Sequence, residues 1–193
     1  MSTVKFSGSL TNVDLDAGDV NIGNVDVASV AAGETHIGEV GGNTTTVTVS
    51  PTVTAGAYHA NDCIGGKLTL ANAARAAAGS GLIYTLTVQD LAAQNAILEI
   101  YIFNADPSNG TYTDNGAVDI HDTDMGYCIG RIDVATSDYK SLADNSMAFP
   151  KDMRAIPFKL ASGTSLYAII RTTGTPTYAA TSDLKLVFGI LRD

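Results

Sequence analysis

Tryptophan is absent, and the 193 residues hold only two cysteines, five prolines and three histidines. Two cysteines cannot frame a disulfide scaffold. Without tryptophan the chain lacks the flat ring that sugar-binding sites favour as a stacking platform. Basic residues are scarce too: 11 lysines and arginines against 20 aspartates and glutamates give a net charge of −9. Such a chain repels phosphate backbones and anionic lipid, so neither nucleic acid nor a membrane surface is expected as a partner. No apolar run approaches the ~20 residues of a membrane span, and the N-terminus shows no basic-then-apolar secretion signal. With 16% charged and 45% hydrophobic residues, the chain escapes wholesale disorder and suits one domain, with or without an appendage.

What is present is unevenly distributed. Residues 1–50 carry six carboxylates and one lysine, Lys5, and few bulky apolar side chains. They cannot bury a core of their own, because ordering each residue costs ~1–2 kcal/mol and little apolar area is available in return. The stretch contains an imperfect repeat, VDLDAGDVNIGNV (13–25) echoed by VDVASVAAGETHIGEV (25–40), with glycines at 18, 23, 33, 38, 41 and 42. Short β-forming clusters between glycines suggest brief strands and tight turns, yet two copies are too few for a self-supporting stack. Residues 1–50 therefore read either as a flexible leader or as a glycine-rich β arm that gains order against other chains. The apolar positions expected to make those contacts are Val13, Leu15, Ile22, Val25, Val27, Ile37 and Val40.

TTTVTVS (44–50) and Pro51 read as the seam between this arm and a body spanning 51–193. In the body, period-two alternation recurs. Leu82, Tyr84, Leu86 and Val88 alternate with Ile83, Thr85, Thr87 and Gln89, and the all-apolar face of the next run is Leu98, Ile100 and Ile102. Leu166, Ala168 and Ile170 form a third face, and Leu184, Leu186, Phe188 and Ile190 a fourth. This is the signature of strands laid on a core. Helix signals are thin: LANAARAAAGS (70–80) reads as a loop or single turn, and SDYKSLAD (137–144) as one short helix or turn capped by Ser137. Seven or eight strands without alternating helices predict an all-β fold, an antiparallel β-sandwich of the jelly-roll kind.

The most pointed chemistry lies in DNGAVDIHDTDMG (114–126), which gathers Asp114, Asp119, Asp122 and Asp124 around His121 without a basic residue. Clustered carboxylates repel unless water, amide hydrogens or a cation offsets them. A hard cation would draw on Asp119, Asp122 and Asp124, although the spacing is not that of a calcium loop. The other reading is a solvated acidic loop whose aspartates cap turns. His36, His59 and His121 are far apart, as are Cys63 and Cys128, so zinc-site spacing is absent and the cysteines read as buried thiols. Nothing resembles a phosphate loop or a nucleophile elbow, and the body has a single glutamate, Glu99. No enzyme and no cofactor is expected. Tyr58, Tyr112, Tyr167 and Tyr178 are the candidates should sugars be bound at all.

Four stretches carry a family resemblance: PTVTAGAYHANDCIGGKLTLANAARAAAGSG (51–81), QNAILEIYIFNADPSNGTYTDNGAVDI (94–120), PFKLASGTSLYAIIRTTGTPTYAATSDL (157–184) and LVFGILRD (186–193). In the order of their turns and strand entries they resemble small structural proteins encoded near the head genes of tailed bacteriophages, with Cys63, His121, Tyr127 and Cys128 departing from that pattern. The resemblance implies a virion component made in the host cytoplasm and carried on the capsid surface, a decoration or cement protein. Its implied partners are the major capsid protein and further copies of itself, a trimer being the natural arrangement on a threefold shell position. The alternative is a head-fibre, tail or receptor-binding module that recognises host-surface glycans.

Overall fold

The computed structural model describes residues 43–192. Ten strands follow one another: β1 (Asn43–Val49), β2 (Cys63–Leu70), β3 (Ser80–Asp90), β4 (Leu98–Phe103), β5 (Cys128–Val134), β6 (Tyr139–Leu142), β7 (Asn145–Ala148), β8 (Ile156–Lys159), β9 (Leu166–Thr172) and β10 (Leu184–Arg192). One four-residue helix, α1 (Asp122–Met125), precedes β5. Every strand pairing is antiparallel. One sheet has the order β1-β10-β3-β7-β6, with β8 pairing β3 beside β7, and the other has the order β2-β9-β4-β5. The chain is an all-β sandwich, as its alternation predicts.

The core lies between the sheets and is built from the expected faces. Leu98, Ile100 and Ile102 of β4 and Leu166, Ala168 and Ile170 of β9 meet Leu184, Leu186, Phe188 and Ile190 of β10, all fully buried. Each of the larger side chains contributes ~1.5–3 kcal/mol by leaving water. The alternation of β3 fails midway. Ile190 pairs with Ile83 and Gly189 with Thr85, so Tyr84 is an extra residue, a β-bulge. The inward set therefore changes from Ile83 to Leu86 and Val88, and Tyr84, placed by sequence on the apolar face, is 44% exposed.

Two further expectations are corrected. Asn43–Val49 pairs residue for residue with Arg192–Leu186, so β1 belongs to the body and the body starts ahead of Pro51. Pro51 has another role: it packs over Gly65, whose φ of +73° and lack of a side chain permit that approach. Of the short helix or turn expected over 137–144, only a turn is present, at the start of the segment. A 3-10 turn (Thr136–Asp138) leads into the β6–β7 hairpin, and the Asp138 carboxylate, not Ser137, caps the turn by accepting from the Ala135 amide at 3.0 Å. The loop expected over 70–80 is a series of turns up to the start of β3. The arm positions Val13, Leu15, Ile22, Val25, Val27, Ile37 and Val40 lie outside the described residues.

Candidate functional site

Alternation places Glu99, Tyr101 and Phe103 of β4 on the side away from the core, and the register lines them up with Arg171, Ile169 and Tyr167 of β9. On the other side of β4, Glu99 faces Asp133 and Tyr101 faces Arg131 of β5. Residues 104–127, between β4 and β5, form a strap closed by the Asn104 amide donating to the Tyr127 carbonyl at 3.0 Å. Tyr112, Val118 and Ile120 of this strap pack on Cys63, Phe103 and Ile169, which are buried as a second, smaller apolar cluster. The acidic constellation read from the sequence lies in this strap.

Two of its aspartates are knots that hold the strap in place. Asp124, fully buried at α1, receives the Asn109 side-chain amide at 2.7 Å, the Asn109 and Gly110 backbone amides at 2.9 and 2.8 Å, and the Tyr112 hydroxyl at 2.9 Å. Burial opposes its charge, but these four donors more than offset it and hold the carboxyl down at about 2. Asp114 accepts from the Thr54 hydroxyl at 2.6 Å, the Tyr58 hydroxyl at 2.7 Å and the Gly65 amide at 2.6 Å, tying the strap to the entry of β2. Backbone bonds from Cys63 to Gly116 and from Asn115 to Cys63, at 2.7 and 2.9 Å, complete that seam.

The expected metal trio does not converge. Asp119 and Asp122 are exposed while Asp124 is turned inward, and among the described residues no group of three or more His, Cys, Asp or Glu side chains is placed to hold a metal ion. His121 caps α1, its Nδ1 accepting from the Thr123 amide at 3.1 Å. His59 stands beside Asp62 at 3.6 Å, and His36 lies outside the described residues. Both cysteines are free. Burial pushes the Cys63 thiol up to about 12, so it stays protonated and is a poor nucleophile. Burial raises the half-buried Cys128 as well.

Sequence reasoning missed the ionic network beside the strap. Arg171 Nε donates to Glu99 Oε2 at 2.7 Å, the Tyr101 hydroxyl donates to the same oxygen at 2.9 Å, and Arg131 approaches the other oxygen at 3.6 Å. Arg131 also grips Asp133 with two nitrogens, at 2.7 and 3.0 Å. Burial works against the Glu99 charge, yet the Arg171 and Tyr101 hydrogen bonds and the nearby arginines hold its carboxyl below the ordinary value. The one available signal was the alternation that put Glu99 and Tyr101 opposite the apolar face. Chemically the arrangement is a charge-balanced platform: its acids are paired, and the Tyr101 hydroxyl is spent as a donor to Glu99.

No family model and no curated protein matches the chain. The tyrosines proposed for sugar stacking divide in two. Tyr58 and Tyr178 are each 1% exposed and pack edge to face with ring centroids 5.8 Å apart, so neither offers a platform. Tyr112 is committed to Asp124, and Tyr167 lies under the Lys67 ammonium at 6.0 Å. Among the described residues, no helix is long and apolar enough to cross a membrane.

Proposed function

We propose that this protein is a structural virion component of a tailed phage, one that decorates the assembled capsid and stabilises it through protein–protein contacts. The observation that carries the reading is the coincidence of two things. The order of features over residues 51–193 resembles phage head-associated structural proteins. The antiparallel sandwich, with strand orders β1-β10-β3-β7-β6 (β8 also on β3) and β2-β9-β4-β5, is compatible with the expected jelly roll, an architecture shared by capsid and lectin domains. A fold alone does not give a function. Here the polar side chains add support: Asp114, Asp124 and Glu99 are spent on holding the chain's own strap and platform. A cement protein needs such a body, rigid and adhesive. In this reading the partner is the major capsid protein, the chain assembles with copies of itself, a trimer suiting a threefold shell position, and residues 1–42 add contacts that individual bodies lack.

Quantitative mass spectrometry of purified virions tests it. The expected result is a copy number comparable with the number of shell positions, and heads lacking the protein that rupture at lower temperature. Absence from the virion, or only a few copies at one vertex, would sink the reading.

A further inference from the structure

The two outer faces of the sandwich are unlike each other. The four-stranded sheet carries the strap and the paired charges of Glu99, Asp133, Arg131 and Arg171. On the six-stranded sheet the register defines an outer face with a different character. β1 contributes Thr44, Thr46 and Thr48, all exposed. β10 contributes Lys185, Val187 and Leu191 beside Leu82 and Thr87 of β3. At the far side lie Lys140 and Leu142 of β6, the latter 52% exposed, and Lys159 of β8. In a chain with 20 acids and 11 bases, the outward strand positions of this face carry lysines and no carboxylate; Asp144, in the β6–β7 turn, stands at the rim. Among the described residues, Lys140, Lys159 and Lys185 form no ion pair.

The face also has an apolar opening beside the bulge. A Cβ placed on Gly189 would lie 3.2 Å from the Tyr84 ring, so this bulged tyrosine lies across the glycine instead of standing away from the sheet. Beside it, an opening of about 440 Å³ is lined by Gly81, Leu82, Pro157, Phe158 and Leu191, together with Ser80 and Arg192. The 39 residues of its six strands, at ~4.8 Å spacing and ~3.4 Å rise, cover roughly 640 Å². That approaches the ~800 Å² each partner contributes to an interface of standard size.

We propose that this face is the docking surface of the molecule, and that its occupant is a protein surface with carboxylates opposite the lysines and an apolar side chain for the opening at Leu82. Charge decides between occupants. A second copy presenting the same face would bring lysines against lysines, and a phosphate backbone would meet threonine and leucine where it needs many bases. The inference rests on the capsid reading, in which that partner is the shell protein.

The test adds purified full-length chain to heads lacking it and counts bound copies across a concentration series. The Lys140→Glu/Lys185→Glu variant is expected to bind at least tenfold more weakly, and Lys140→Arg/Lys185→Arg within threefold of wild type. Lys67→Glu/Arg131→Glu makes the same change in net charge on the opposite face, and it too should stay within threefold. Thermal melts verify that each variant is folded. Wild-type binding by Lys140→Glu/Lys185→Glu, or an equal loss from Lys67→Glu/Arg131→Glu, overturns the docking face and leaves the capsid reading standing. Failure of the wild-type chain itself to bind heads overturns both.

Discussion

Tyr58 and Tyr178 are a matched pair with opposite bookkeeping. Both are buried and they touch each other edge to face. The Tyr58 hydroxyl accepts from the Thr54 amide at 2.7 Å and donates to Asp114 at 2.7 Å. Burial, with the Asp114 carboxylate next in weight, raises its pKa far above the ordinary phenol value. The Tyr178 hydroxyl, equally buried, has no hydrogen-bond partner among the described residues. Desolvating an unpaired hydroxyl costs about 1–3 kcal/mol, whereas removing a paired one leaves its partners short. Tyr58→Phe is therefore expected to lose about 1–3 kcal/mol, and Tyr178→Phe to be neutral or gain up to about 1 kcal/mol. Urea unfolding of the two variants beside wild type checks this. Equal losses would show that the Tyr178 hydroxyl is satisfied after all.

At the scale of elements, the strap makes the clearest prediction because one buried carboxylate holds one end of it. Asp124 has its folded pKa depressed to about 2, below the ordinary 3.8. Its contribution is thus fully present above about pH 4 and is lost as pH falls from there towards 2. Asp90, buried at the end of β3, works with the opposite sign: burial raises it against the Asn95 and Ala92 amides, so its share is lost as pH rises through its folded value. Between pH 5 and 2.5 the Asn109 and Gly110 amides should lose hydrogen-exchange protection in wild type. In Asp124→Asn they should start less protected and change little; a wild-type-like acid response in that variant would remove Asp124 as the cause. That aspartates of this loop cap turns was legible beforehand; that Asp124 is the buried one was not. Asp119, Asp122 and Asp124 look alike in sequence, and the donors that single out Asp124 lie 12 to 15 residues away in the chain. The long strands were legible because inward and outward residues alternate over six or more positions. The β6–β7 hairpin was not: four-residue strands carry too few alternations, and Tyr139 and Leu142 happen to sit at helical spacing. The β3 bulge was hidden for a related reason, since Tyr84 continues the apolar series that the extra residue interrupts.

For the whole molecule, the question is where the self-supporting body begins. Composition put the boundary at Pro51, because 1–50 is poor in bulky apolar residues and TTTVTVS with Pro51 reads as the seam between glycine-rich and strand-rich chain. Pairing decides otherwise. β1 matches seven residues of β10 and places Val47, 8% exposed, in the core opposite Phe188. Removing residues 1–42 leaves all ten strands and both sheets. Removing 1–50 takes β1 away, strips one side of β10 of its hydrogen-bonded neighbour and uncovers part of the core. Val47 contributes ~2 kcal/mol by burial, and each lost ladder bond adds about 0.5–1.5 kcal/mol before the edge relaxes into water. A net loss of roughly 3–5 kcal/mol would lower the Tm of a domain this size by about 6–20 °C. The shorter truncation should therefore melt within a few degrees of the full chain, and the longer one well below it and with a broader transition. Both are read by circular dichroism at one protein concentration, because self-association also shifts Tm. If the two truncations melted together, β1 would be an accessory of the sheet, and the exposed threonines of its outer face would have to be reassigned from the body to the segment before it.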